Sequence, residues 1–492
     1  MTLTTPAKKD CLRESGAFAW VVVIALGLMS AGTTGTYSII AGSFVAPVCE
    51  DLGFDYTSFS FYFTAILLGL ALGLPLLSRF IPKVIGKPWH ICIELVLIAA
   101  GAAMAFYTEV WMFTVSAAVI GICFSFTTGV CMSDVIDQWF SKSSGLAIGL
   151  AWGVNSLCTL LLSPVITLVI EQQGWRTGYI VLAAVSAAMI LPASAFIIRL
   201  NPSDRNMLPY GETVSETHES CSADEQEDVL SGMALRDAAK TPSFILCVLL
   251  LCVAQLTCCM NQLFPTYASE VGFNPIVESL MVSAASLSDI FLNPFVGKTC
   301  DKLGAIKATV AWTGVSILSF LLLIIGGSNE TVSIIAAGVN DVMFAIVGTA
   351  MPMLLLSLFG SRDFGRIYSI VCSAGYVVGA FGMPVMMKVY GMAGSFQGVF
   401  IFCIACNLMI AAFAIVSGFL NKAAESNKRR LHRHRLPRNR VTPSQIGVDP
   451  CFRFKGCPQA PWAPTCASAW LVYLNISSTI PAQTAFSSIS SP

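Results

Sequence analysis

The sequence predicts an all-α membrane protein with twelve transmembrane helices in two pseudo-symmetric six-helix bundles. Three observations carry this: an apolar composition, the number of long apolar runs, and an internal repeat. Of 492 residues, 55% are apolar and only 11% charged, with mean hydropathy +0.74. A soluble domain carries about 25% charged residues, so a soluble enzyme of this size is excluded. Formal net charge is zero, which argues against nucleic-acid binding by bulk positive charge. Most of the 18 Cys lie inside apolar runs, among them Cys92, Cys123, Cys158, Cys252 and Cys403, where they act as small hydrophobes. They show neither zinc spacing nor a disulfide framework.

A spanning helix needs about 20 apolar residues. Polar punctuation leaves twelve such runs, near 18–45, 58–77, 89–107, 111–135, 145–170, 177–198, 243–267, 276–296, 308–326, 332–359, 368–390 and 395–420. The first follows a short basic segment without a small-residue cleavage pattern and reads as a retained span. The predicted organisation is a cytoplasmic N-terminus (1–17), a six-helix bundle (18–198), a cytoplasmic linker (199–242), a second bundle (243–420) and a basic, disordered cytoplasmic tail (421–492). The linker holds Pro202, Pro209 and the acidic run Asp224–Asp228, with a short helix expected near Met233–Lys240.

Lys and Arg set the expected orientation. With the N-terminus inside, the inner segments hold 26 of the 28 cations, and the outer loops only Arg176 and Lys388. Without the ten in the tail the ratio is still 16 to 2. Both termini are therefore expected on the cytoplasmic side of a plasma or inner membrane.

The halves resemble each other at a shift of about 220 residues. The loop Ser78-Arg-Phe-Ile-Pro-Lys83-Val-Ile-Gly86-Lys-Pro corresponds to Gly297-Lys-Thr-Cys-Asp301-Lys302-Leu-Gly304-Ala-Ile-Lys307. Pro75 matches Pro294, Gly145 and Pro164 match Gly365 and Pro384, and Gly174–Gly178 matches Gly394–Gly398. Two parallel six-span repeats imply alternating access around a site near the membrane midplane between them. Pro75, Pro164, Pro294 and Pro384 are expected to break spans 2, 5, 8 and 11 and permit bending.

At these residues the chain resembles the major facilitator superfamily. Gly297, Asp301, Lys302, Gly304 and Lys307 resemble that superfamily's inner-loop motif, which implies a cytoplasmic charge latch. The first copy is degenerate, with Lys83 in place of the acid. A narrower resemblance is to the monocarboxylate transporters and the oxalate–formate antiporter-like proteins. Glu14-Ser-Gly-Ala-Phe-Ala-Trp20 is loosely similar to one of their signatures. Trp139-Phe140-Ser-Lys142-Ser-Ser-Gly145-Leu-Ala-Ile-Gly149-Leu-Ala-Trp152-Gly153 is a closer match to the other. Small residues at Gly145, Gly149 and Gly153 allow close helix contact. The resemblance covers roughly residues 14–420; residues 421–492 do not share it. Two departures bear on the substrate. Asn293 stands where those transporters carry an Arg before Pro294, and Thr36-Tyr37-Ser38-Ile39 lacks their Lys.

Without these cations no Lys or Arg lies deep in a span. A bound carboxylate would draw on helix N-termini, hydroxyls, amides or a coupled proton; otherwise the substrate is neutral or cationic. Asp289 lies about 14 residues into span 8, roughly 21 Å along an ideal helix. Asp341 lies beside Asn340 in the outer half of span 10. An ionised carboxylate at a helix centre costs roughly 2.5–3.5 kcal/mol on insertion scales. Each acid therefore either couples protons or binds a cation, or it is a carboxyl hydrogen-bonded between helices.

The resemblance implies that spans 1, 4, 7 and 10 line the cavity. Substrate-binding candidates are Thr34, Tyr37, Thr128, Asn155, Gln255, Asn261, Asn293, Asn340 and Tyr376, with Thr33, Thr36, Ser125, Thr127 and Gln262 as further lining residues. Each could equally be interhelical packing or hydrogen bonding; Trp152 is a further candidate, read rather as lipid or helix packing. His90 and Glu94 read as an interfacial pair or cap, and Asp134 and Asp137 as loop charges.

No P-loop, HExxH or GxSxG motif occurs. Neither an enzymatic activity nor a cofactor or metal is expected, and energy should come from gradients. The expectation is a secondary transporter of a small organic acid, working with protons or a counter-substrate. Efflux of neutral or cationic compounds is the rival within transport, and a transport-incompetent receptor the rival outside it. In the tail, Lys428–Arg440 suits anionic headgroups or is an ordinary positive flank. Ala467–Ile476 is too short to span. Asn329-Glu-Thr331 is a glycosylation sequon in an outer loop, meaningful in a eukaryotic host, whereas Asn475 falls inside.

Overall fold

A computed structural model describes residues 13–212, 232–326 and 328–435. The N-terminal segment before residue 13, the acidic run 224–228, the end of the basic block, Ala467–Ile476 and the Asn475 sequon lie outside the described residues.

Among the described residues, nine helices are long and apolar enough to cross a membrane, or ten with a bent pair counted as one span. The Ser144–Ile197 helix reverses at Gly174 (φ 84°, ψ 162°), a conformation that suits glycine, and so supplies spans 5 and 6. Tyr56–Leu77 supplies span 2. Span 1 is Gly16–Leu52, span 3 Pro88–Phe106, span 4 Val110–Trp139, span 7 Pro242–Leu263 and span 8 Pro275–Leu303. Span 9 is Ala305–Gly326 and span 10 Glu330–Phe359. Span 11 is the bent pair Phe364–Ala380 and Gly382–Ala393, and span 12 occupies Phe396–Asn421 of a helix that runs on to Arg435.

The repeat is visible in the helix ends. Gly53 and Gly272 close segments in the left-handed conformation (φ 70° and 82°). Two residues beyond each, Asp55 and Asn274 cap the next helix by accepting from Ser58 N–H (3.2 Å) and Ile276 N–H (3.1 Å). Such caps satisfy amides that a helix start leaves free.

The prolines act less uniformly than expected. Pro75, Pro164 and Pro294 lie inside continuous helices. Among the described residues, only span 11 is bent this sharply, by 46°, three residues before Pro384. One missing hydrogen bond is tolerated where neighbouring helices support the backbone.

The linker is partly built into the fold. Arg13–Glu14 pairs in parallel with Met207–Leu208, and Phe140 bridges to Tyr210. Trp20 packs edge-on to Phe140 and Tyr210 at 5.1 and 5.5 Å. On the other side of the undescribed stretch, Gly232 bridges to Gly360, and Leu235 N–H donates to Asp363 at 2.9 Å. The expected short helix is Leu235–Ala238. These contacts define a linker end of the helical body, opposite a far end.

Candidate functional site

Spans 1, 4 and 10 leave regular α geometry near their middles, and span 7 does so at its end. Span 1 widens to π geometry over Ala31–Ile39, and span 10 does so over Ile346–Ala350, just after an interruption at Asp341. Span 4 is broken at residues 125–128. Span 7 tightens to 3-10 geometry over Cys259–Leu263. Irregular backbone at membrane depth is tolerated where protein or a water-filled cavity surrounds it, and such breaks often mark functional sites.

The irregular turns of spans 7 and 10 meet span 8 in one polar network. Asn293 donates to Asp289 (2.6 Å) and accepts from Thr349 (2.9 Å). Asn261 donates to Asp341 (2.7 Å) and accepts from Asn340 (2.9 Å). The Asp289 and Asp341 carboxyls lie close enough to interact electrostatically, and Asp341 Oδ2 is buried without a hydrogen-bond partner. Two ionised carboxylates held this near each other repel, and a proton on one relieves that repulsion. Ser156 of span 5 donates to Asp289, so the network reaches the first half of the chain. Among the described residues, no Lys or Arg forms an ion pair with either acid.

The rest of the contact between halves lies toward the linker end. Spans 5 and 8 approach backbone to backbone: a Cβ on Gly145 would lie 2.6 Å from the Gly297 carbonyl oxygen, and one on Gly149 2.9 Å from Pro294 Cα. Asp301 accepts from the N–H groups of Gly145 (2.9 Å) and Leu146 (2.8 Å), at the positive start of span 5. Of the inner-loop residues, Gly297 makes the close approach and Gly304 turns the chain (φ 85°), while Lys302 and Lys307 are exposed. Trp152 is more than packing: its indole donates to Gly348 of span 10 at 3.0 Å and lies over Gly129 of span 4.

Other sequence candidates are placed elsewhere. Thr33 and Thr36 donate to carbonyls of their own helix at 2.9 and 2.7 Å, and Thr128 does so at 2.8 Å. Tyr37 is buried against Gly101 of span 3, inside the first half. Thr34 is half-buried. Buried Asn155 faces Gly35 of span 1. Gln255 lies along Gly375 and Gly379 of span 11, and Tyr376 neighbours Cys258 and Cys372. Gln262 is exposed. Of the signature residues, Trp139 is buried and donates to the Arg199 carbonyl at 2.9 Å, and Lys142 lies against Gly211.

Two readings change. Asp134 and Asp137 are not loop charges: both belong to the helical leg Gly129–Trp139, and the Asp134 carboxylate abuts Gly365 at the start of span 11. His90 and Glu94 do pair, with Nε2 and Oε1 3.7 Å apart, but both side chains are fully buried in the protein. Span 4 is broken at residues 125–128, and its lower leg packs Asp134 against span 11, a consequence of packing that apolar run length does not report.

A profile of the Major Facilitator Superfamily matches residues 22–383 and, a second time, 262–489. The chain belongs to this superfamily. The second match runs beyond span 12 into the tail. The proton:xylose symporter XylE, bound to 6-bromo-6-deoxy-D-glucose, superimposes with TM-score 0.59 at 13% identity, over 82% of this chain and 94% of its own. The fucose:proton symporter FucP of E. coli gives 0.57 at 14%, over 81% and 98%. A double-tryptophan variant of XylE gives 0.65 at 14%, over 83% and 96%. These likenesses concern the fold. An uncharacterized MFS-type transporter of Bacillus subtilis, YcxA, is 32% identical over 99 residues, a stretch that spans 20% of this chain and 23% of that relative. The protein is thus a multi-pass membrane member of this transporter superfamily, not an enzyme.

Proposed function

We propose that this superfamily member is a proton-coupled secondary transporter in which the Asp289–Asp341 pair carries the proton. The observation that supports this most is the closeness of the two buried carboxyls, with Asp341 Oδ2 left unpartnered and Asp289 anchored across the halves by Ser156. Losing a proton from the pair would leave two neighbouring anions, and separation of the acids would relieve their repulsion. Loading and unloading a proton there would therefore bias the closure between halves. Both termini are proposed to face the cytoplasm of a plasma or inner membrane, on the strength of the 26-to-2 distribution of Lys and Arg.

For the substrate we favour a small organic acid, supported by the likeness of Trp139–Gly153 to the monocarboxylate transporters and oxalate–formate antiporter-like proteins. Amides of Asn261, Asn293 and Asn340 and the coupled proton would replace the missing cations. A neutral or cationic solute is the second reading, favoured by the absence of Lys or Arg ion pairs with the two acids among the described residues.

Counterflow in reconstituted vesicles, using a panel of short-chain acids with and without a pH gradient, separates the readings. Exchange of acids supports the first; exchange of lipophilic cations alone sinks it. Asp289→Asn should abolish accumulation driven by a pH gradient and spare exchange. Unchanged accumulation in that variant removes Asp289 from coupling.

A further inference from the structure

The first half holds a second buried acid, at the break in span 4. Residues 125–128 leave the helical path between the legs Val110–Phe124 and Gly129–Trp139. The carbonyls freed there need donors. Phe124 O receives Thr128 Oγ1 (2.8 Å) and the Thr128 N–H (3.0 Å). Phe126 O is 3.1 Å from His90 Nε2. A carbonyl can only accept, so Nε2 carries a hydrogen and donates. His90 Nδ1 is buried without a hydrogen-bond partner.

Glu94 lies one turn further along span 3. Its Oε1 is 3.7 Å from His90 Nε2 and accepts from Ser194 of span 6, while Oε2 is buried without a partner. Cys131 of the lower span-4 leg is the neighbouring titratable group, itself close to Asp134, which in turn interacts with Asp137. Met29 of span 1 faces Ser194. Arg199, the cation at this end of span 6, spends its guanidinium on the carbonyls of Ser194, Ala195 and Ile198. Glu94 thus has no Lys or Arg ion partner among the described residues.

Proton counting limits the states. A neutral His90 with an ionised Glu94 leaves one uncompensated charge in an apolar core, held by a single hydroxyl. One added proton makes the cluster neutral, and it belongs on the Glu94 carboxyl, because a proton on His90 Nδ1 would be a buried donor without an acceptor. A second would leave a lone imidazolium. Buried unpaired charge is strongly disfavoured, so the cluster is built to hold one exchangeable proton.

We propose that His90 and Glu94 form a second proton-binding site, separate from the Asp289–Asp341 pair, that sets the bend in span 4. His90 grips the Phe126 carbonyl inside the break, and the lower leg carries Asp134 to Gly365 of span 11. A proton on the cluster strengthens the donation to Phe126 O and holds the leg against the second half; its release loosens that grip. This site stands whatever the substrate is and whether or not Asp289 couples.

The test is infrared difference spectroscopy of the full-length protein in nanodiscs between acidic and alkaline buffer, with isotope-edited glutamate. The wild type should show one protonated glutamate carboxyl band that disappears on alkalinisation, and Glu94→Gln should lose it. Spin labels at 115 and 142 should report a pH-dependent distance in the wild type and a fixed one in Glu94→Gln and His90→Asn. Absence of a titrating glutamate band in the wild type overturns the site, even if the variants fail to fold. A titrating band with an unchanged distance overturns the control of the bend. Bands that respond to aspartate rather than glutamate labelling assign the proton to the other pair and also overturn the site.

Discussion

The two copies of the inner-loop motif solve the same packing problem differently. In the second copy, Asp301 accepts from two amides at the start of span 5, and Gly297 and Gly145 let the backbones touch. In the first copy Lys83 occupies the acid's place and is exposed. The start of span 11, at Gly365, instead faces Asp134, which comes from span 4. A duplicated architecture preserves where a helix start needs a negative group, not which loop supplies it. The second copy is the tighter: charge-assisted bonds at 2.8–2.9 Å outlast a carboxylate that merely lies near a helix end.

That contrast can be broken in order of expected effect. Gly297→Val should act most strongly, because a Cβ there would collide with the backbone of Gly145 and meet Leu146 N at 3.0 Å. Backbone cannot swing aside as a side-chain tip can, so spans 5 and 8 must separate. The expected outcome is a longer distance between spin labels at 142 and 302 and loss of most transport. An unchanged distance would mean that the close approach is not needed for closure. Asp301→Asn keeps the shape and removes the charge. Hydrogen bonds to a charged group contribute about 1.5–3 kcal/mol each, partly retained by the amide, so a shift of about tenfold toward the open linker end is expected in the same distance distribution. Asp134→Asn should shift it least, by a factor of about two to five, since a helix-end charge contributes about 0.3–1 kcal/mol. If Asp134→Asn equals or exceeds Asp301→Asn, the second copy is not the dominant latch.

The buried acids give a similar lesson about what could be read in advance. Asp289 and Asp341 stand out in the sequence because each interrupts an apolar run. Their meeting does not stand out, because 52 positions and two loops separate them, and the two carboxyls approach only where span 10 is irregular beside span 8. Ser156 carried no mark: one hydroxyl in an apolar helix usually serves packing, and its role depends on which half it faces. His90 and Glu94 show i,i+4 spacing, yet their burial depends on the break in span 4 and on Ser194 from span 6.

Apolar run length and the recurrence of Gly, Pro and capping residues at a shift near 220 settled the helical class, the duplication and most helix ends, since these depend on local sequence and on the thickness of a bilayer. Tertiary structure decided which polar groups became partners. Hydrogen bonds between spans form over about 3 Å, and that proximity comes from helix tilt, irregular turns and the seating of one half on the other, none of which is encoded in the spacing within a single helix.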